Sequence, residues 1–135
     1  MSGQTREQQR ALQVYARVEA ASKQGRELRA DYKPRVNGLG ATVLRDGLAA
    51  ALTFLERENS NAAAKRVLDD LASCLAAARL PELGEGLRGE KLPEKVRELK
   101  LDAYMLATRE VLRLLVWFRR AVQATFPSDE EGADA

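Results

Sequence analysis

The chain has 135 residues, with 22 basic and 20 acidic side chains, no histidine, one cysteine and seven aromatics. One domain with a modest core is the default at this length. Composition alone excludes a Ser-His-Asp triad, a Cys-His pair, a zinc site built on histidine or on several cysteines, and an intrachain disulfide.

Where the charge sits says more than its sum of +2. The last segment, Pro127 to Ala135, holds four acids and no base, which leaves residues 1–126 with 22 bases against 16 acids, or +6. The longest apolar runs, such as Leu114 to Phe118, are about five residues where a bilayer span needs roughly 20, so no membrane partner is expected. The polar start MSGQTREQQR has no signal-type apolar stretch, and the cysteine usage suits a cytoplasmic protein. No segment alternates apolar and polar over strand length. The chain therefore reads as all-α: a single compact domain of five to six helices over residues 1–126, ending in a long C-terminal helix, then an acidic tail at 127–135 of disordered type.

A first helix is predicted from Thr5 to Gln24. Ala11, Val14, Tyr15, Val18 and Ala21 recur every three or four residues, Thr5 can cap the start and Gly25 can end it. The basic stretch from Arg26 to Leu39 reads as a short helix ending near Gly38 to Gly40, with Pro34 in a first turn or at a kink. A third helix is predicted from Ala41 or Thr42 to Glu58, with Leu44, Leu48, Ala51, Leu52 and Leu55 as its stripe. Gly47 would then lie mid-helix, at a cost of about 1 kcal/mol relative to alanine.

Asn59, Ser60 or Asn61 can cap a fourth helix from Asn61 to Arg79, whose stripe is Ala64, Val67, Leu68, Leu71, Cys74, Leu75 and Ala78. Cys74 falls on that stripe and reads as a small buried hydrophobe rather than a nucleophile. Leu80 to Leu92 is the longest predicted loop. Its Gly84, Gly86 and Gly89 spell GxGxxG, but a dinucleotide fingerprint needs a strand before it and a helix opening within it. A helix precedes it here, so a flexible surface loop is expected. Glu82, Glu85, Glu90 and Glu94, mixed with Arg88 and Lys91, read as solvated charge rather than a metal or acid–base site. A short helix from Pro93 to Leu99 follows, with proline at its first position.

The last helix, from Leu101 or Asp102 to Phe126, carries the most information. At 100° per residue, Tyr104, Ala107, Val111, Leu114, Leu115, Phe118, Ala121 and Val122 form a core face. Arg109, Arg113 and Arg120 line up opposite it, with Val116 among them and Trp117 on their flank. Two readings stand. In one, Trp117 packs under a neighbouring helix and the arginines form surface ion pairs, such as Glu110 with Arg113. In the other, the ridge meets phosphates or an acidic partner, and Val116 and Trp117 anchor a contact. Arg26, Arg29, Lys33 and Arg35 make a second candidate patch, and Lys65 with Arg66 a weaker third.

Two stretches carry a family resemblance. In the first, Tyr32 is followed fifteen residues later by Gly47-Leu48, which open a run through Leu52, Phe54 and Leu55. In the second, Tyr104, Thr108, Arg109, Glu110, Leu112, Leu114, Leu115, Trp117, Arg119 and Arg120 stand in order. Together they resemble the small helical subunit of the type III-B CRISPR (Cmr) RNA-guided effector complex. The chain departs from that pattern at Gly40, where proline is usual, and at Asp46, where asparagine is frequent. The resemblance implies an all-helical, non-catalytic subunit without cofactor or metal. Its implied partners are other type III-B effector subunits, copies of itself in a filament along the effector backbone, and guide RNA and target RNA. The basic residues above then become candidate RNA contacts. The alternative is a helical adaptor that binds protein only, through Trp117.

Overall fold

The structure, a computed structural model, describes residues 3–127; the rest of the predicted acidic tail lies outside the described residues. Six α-helices and one 3-10 turn make up the described body. The first helix, α1 (Arg6–Ser22), opens with a reciprocal cap. Thr5 Oγ1 accepts from the Gln8 N–H at 3.0 Å, and Gln8 Oε1 accepts from the Thr5 N–H at 2.8 Å. This satisfies two of the donors that a helix start leaves open. Val14, Val18 and Ala21 form its buried stripe, as the spacing predicts.

The next boundary differs from the prediction. α2 (Arg26–Asp46) runs straight through Gly38 and Gly40, and the chain breaks at Gly47 before α3 (Leu48–Arg57). Each helical glycine costs about 1 kcal/mol against alanine. The cost is offset because Tyr32, Val36, Leu39 and Val43 bury along one continuous face. Pro34 is tolerated inside the helix because it sits on the solvent side, where water reaches the carbonyl it leaves unbonded. Gly47 is not mid-helix: its φ of +92° is a conformation that favours glycine. It has no side chain to cap α3, and Tyr104 does so instead, its Oη accepting from the Ala49 N–H at 3.0 Å. The two motif stretches thus meet at this break. Leu44 belongs to α2 rather than to the α3 stripe and stands 74% exposed.

α4 (Ala62–Ala77) is capped by Asn61, whose Oδ1 accepts from the Ala64 N–H at 3.0 Å. It packs against α1, α2, α3, α6 and the 3-10 turn, which makes it the central element. The segment after it is not the flexible surface loop expected from its glycines. Leu83, Gly89 and Leu92 are buried, a 3-10 turn forms at Gly89–Lys91, and α5 (Leu92–Glu98) follows directly. Gly89 lies flat on α4: a Cβ there would stand 2.5 Å from the Asp69 nitrogen and 2.7 Å from the Leu68 carbonyl carbon. The third glycine of the GxGxxG string is therefore a packing residue.

α6 (Leu101–Thr125) spans 25 residues, and its predicted core face is buried apart from half-buried Tyr104. The rings of Tyr32 and Phe126 are 5.8 Å apart, Gly40 lies beside Leu115, and Gly47 lies beside Tyr104. Rising numbers on α2 meet falling numbers on α6, so the two run antiparallel. α1 also packs along α6.

Candidate nucleic-acid interface

The ridge predicted on α6 exists as a surface. Arg109, Arg113, Val116 and Arg120 are all exposed, and Trp117 is half-buried beside them. The indole is fixed from two sides. Its Nε1–H donates to Glu7 Oε2 at 3.0 Å, and the Arg120 guanidinium carbon sits 4.9 Å from its ring centroid. The indole hydrogen bond, helped by Arg10, holds the Glu7 carboxyl below its ordinary range. Trp117 therefore packs on α1, while the arginines beside it face solvent.

The predicted Glu110–Arg113 surface pair does not form. Glu110 points inward, where Arg10 grips it through two contacts, Nε to Oε2 at 2.7 Å and Nη2 to Oε1 at 2.8 Å. Both side chains are more than nine-tenths buried. Arg10 also donates to Glu7 Oε1 at 2.6 Å, so Glu7 joins this pair to Trp117. The hydrogen bonds to Glu110 hold the Arg10 guanidinium firmly protonated. Loss of Glu110 to the interior leaves the ridge with fewer acids of its own.

The second patch divides. Arg26 is exposed, and Arg29 and Lys33 are half-buried. These three fall on one face of α2, at spacings of three and four residues. Arg29 also donates to the Ser22 carbonyl at 2.8 Å, which pins the α1–α2 turn. Arg35 is held elsewhere, with Nε 2.8 Å from Glu58 Oε2 and Nη1 2.8 Å from the Asp31 carbonyl oxygen. In the third patch, Lys65 is exposed, but Arg66 turns in to Asp70 and donates to Oδ2 at 3.1 Å.

Asp70 is the polar centre that sequence reasoning passed over. It is fully buried on α4 and takes hydrogen bonds from Tyr32 Oη at 2.6 Å and Arg17 Nε at 2.8 Å, as well as from Arg66. Burial pushes its pKa up, and Tyr32, Arg66 and Arg17 pull it back down. The same burial, with Asp70 beside it, raises the Tyr32 phenol far out of its usual range. Cys74 is buried as expected, and desolvation pushes its thiol up to about 12, so it stays protonated and unreactive at neutral pH.

Part of the exposed apolar surface lies at one end. Leu101 is 71% exposed and Met105 59% on the first turns of α6, and Leu44 stands at the neighbouring end of α2. Among the described residues, no group of three or more acidic or cysteine side chains is placed to hold a metal, and no helix is long and apolar enough to cross a membrane.

Comparison with known proteins agrees with the motif resemblance. The family model for the CRISPR-associated protein Cas_Cmr5 matches residues 6–125. The CRISPR system Cmr subunit Cmr5 of Thermus thermophilus is 35% identical over 120 residues, covering 89% of this chain and 95% of that protein. The X-ray crystal structure of a CRISPR-associated Cmr5 family protein from the same organism superimposes with a TM-score of 0.75. It is 32% identical, and the match spans 92% of this chain and all of the other. A helical body with the Tyr32, Gly47 and Tyr104–Arg120 motifs in place, matched over nearly its whole length, belongs to the Cas_Cmr5 family of CRISPR-associated proteins.

Proposed function

We propose that this chain is the small, non-catalytic subunit of a cytoplasmic type III-B CRISPR Cmr effector complex, stacking along the effector backbone and helping to hold guide and target RNA. One observation carries the RNA contact: Arg109, Arg113 and Arg120 form an exposed ridge on the longest helix, with the acid nearest in sequence withdrawn into the core. The contact is electrostatic and independent of sequence. Arginines neutralise backbone phosphates and release their counterions. Exposed Arg26 and Lys65, with half-buried Arg29 and Lys33, add cations elsewhere on the body. Arg35 and Arg66, tied to Glu58 and Asp70, act on the fold first.

Leu44, Leu101 and Met105 support contacts with neighbouring subunits, including further copies of the chain, since apolar area of this kind seeks a protein partner. A protein-only adaptor would instead anchor its partner at Trp117, so that Trp117→Ala would abolish partner binding while mutating the ridge arginines left it unchanged.

The test is binding of a uniform single-stranded RNA by the isolated chain across a salt series. Affinity falls as salt rises, and Arg109→Glu with Arg113→Glu weakens it and reduces the salt slope by about 2, roughly one per contact. Wild-type affinity and slope in the double variant would remove the ridge from the RNA-binding surface.

A further inference from the structure

A cleft of about 700 Å3 opens between α1, the end of α4 and the middle of α6, and no arginine of the ridge lines it. That volume falls in the range of small-molecule sites, about 300–1,000 Å3. Buried Cys74 and Leu114, with Ala77 and Ala78, give it an apolar floor. Its polar lining is cationic. Arg6, Arg10 and Arg79 bring three guanidinium groups against one carboxylate, that of Glu110. Arg10 takes up both oxygens of that carboxylate, while Arg6 Nη2 stays 3.9 Å away with its side chain 68% exposed. Glu7, the other acid on Arg10, turns to Trp117 and does not line the cleft.

Arg79 occupies a backbone position where a side chain is costly. It follows α4 with a φ of +54°, a place where helices usually put glycine. That conformation costs an L residue about 1–2 kcal/mol. Its guanidinium has no partner among the described residues, so no internal contact offsets the cost. Gln13, likewise without a side-chain partner among the described residues, lines the cleft from α1 with a donor and an acceptor. The C-terminus of α4 opposes an anion here, since it brings about half a negative charge and has no basic residue in its last turn. The surplus of two guanidinium groups outweighs it and leaves about +1.5. A phosphate monoester, at about −1.5 to −2 near neutral pH, matches that charge. The apolar floor and the Gln13 amide suit a flat ring with a polar edge.

We propose that this cleft binds a nucleotide through a terminal phosphate. Arg6 and Arg79 hold the phosphate, and Gln13 and the apolar floor receive the base. Arg10 stays with Glu110 and fixes the wall between them. Two sources present this chemistry, a free mononucleotide and the phosphorylated end of an RNA strand; the second rests on the function proposed above.

Chemical-shift titration of the isotope-labelled full chain with adenosine monophosphate at low salt reads the site directly. Saturable shifts are expected at Gln13, Arg79 and Leu114. Arg6→Gln with Arg79→Gln should weaken binding about tenfold, and adenosine, which lacks the phosphate, should bind about tenfold more weakly than the nucleotide. Gln13→Ala, a change at an exposed position, should weaken binding about threefold and tests the site even where the arginine pair proves necessary for folding. The ridge variant Arg109→Glu with Arg113→Glu should bind the nucleotide like wild type, so failure of the ridge and failure of the cleft are read separately. No saturable shift up to about 10 mM, equal affinity for sulfate, or wild-type affinity in both cleft variants overturns the proposal. A uniform RNA hexamer with and without a terminal phosphate then names the source. A gain of about tenfold from that phosphate, lost in the Arg6 and Arg79 variant, places an RNA end in the cleft. Equal affinity of the two hexamers, with the mononucleotide still bound, gives the cleft to free nucleotides.

Discussion

Tyr32 Oη donates to Asp70 Oδ2 at 2.6 Å in a region that solvent does not reach, and through that bond α2 is tied to α4. Arg17 brings α1 to the same carboxylate. A buried charge is tolerable only while its partners stay in place. Tyr32→Phe keeps the ring against Phe126 and removes one donor, so it should cost about 1.5–3 kcal/mol, as for hydrogen bonds to charged groups. Urea denaturation at pH 7 measures this, and a loss below roughly 0.5 kcal/mol would mean that the two arginines suffice.

Arg10 and Glu110 are a second buried charge pair, joining α1 to α6. Removing one partner strands the other, so Arg10→Met alone should cost about 3–5 kcal/mol. Replacing both, Arg10→Met with Glu110→Leu, should recover most of that loss, since packed apolar groups can substitute for a desolvated pair. A double variant no more stable than the single one would show that the pair does more than satisfy its own charges.

Three glycines make opposite predictions. Gly38 is helical and exposed, with open space where a Cβ would go, so Gly38→Ala should stabilise by about 0.5–1 kcal/mol. Gly89→Ala should destabilise by about 1–3 kcal/mol, because the new methyl group runs into the α4 backbone at Asp69. Gly47→Ala is also unfavourable, from its positive φ and from Tyr104 Oη 3.3 Å from the new Cβ. Thermal melts of the three variants suffice. A common sign would contradict the placement of at least one.

Trp117 is the single tryptophan, so its emission reports its contact with Glu7. Glu7 titrates below its ordinary value of 4.5 because the folded state favours the carboxylate. The stability it adds is complete above that ordinary value and is lost as pH falls through the lower folded value. Emission should therefore hold steady from neutral pH and shift only below 4.5, and Glu7→Gln, which keeps an acceptor oxygen, should abolish the shift. A transition near neutral pH, or one that survives in Glu7→Gln, would assign it to another group.

The helices with unbroken stripes, α1, α4 and α6, were legible from spacing alone, and so were the exposed ridge residues. The α2–α3 boundary was not, because glycine is ambiguous. Gly38 and Gly40 look like stops but stay helical where tertiary packing outweighs their propensity, and Gly47 looks tolerable but is the break. The buried charges left a signal that periodicity could have caught. Asp70 lies between Val67 and Leu71 on the α4 stripe, and Glu110 lies between Ala107 and Val111 on that of α6. A charge at a core position needs a partner, and α1 supplies one to each from far away in sequence. Arg10 stands 100 positions before Glu110, and Arg17 stands 53 before Asp70.

The break at Gly47 also limits how long a helix the chain forms. Without it, α2 and α3 with the glycine would form one rod of 32 residues, about 48 Å long against about 37 Å for the 25 residues of α6. Such a rod would project by about 11 Å beyond the helix it packs on. Breaking the chain at Gly47 instead makes α3 a separate helix of 10 residues, so that no helix among the described residues is longer than α6.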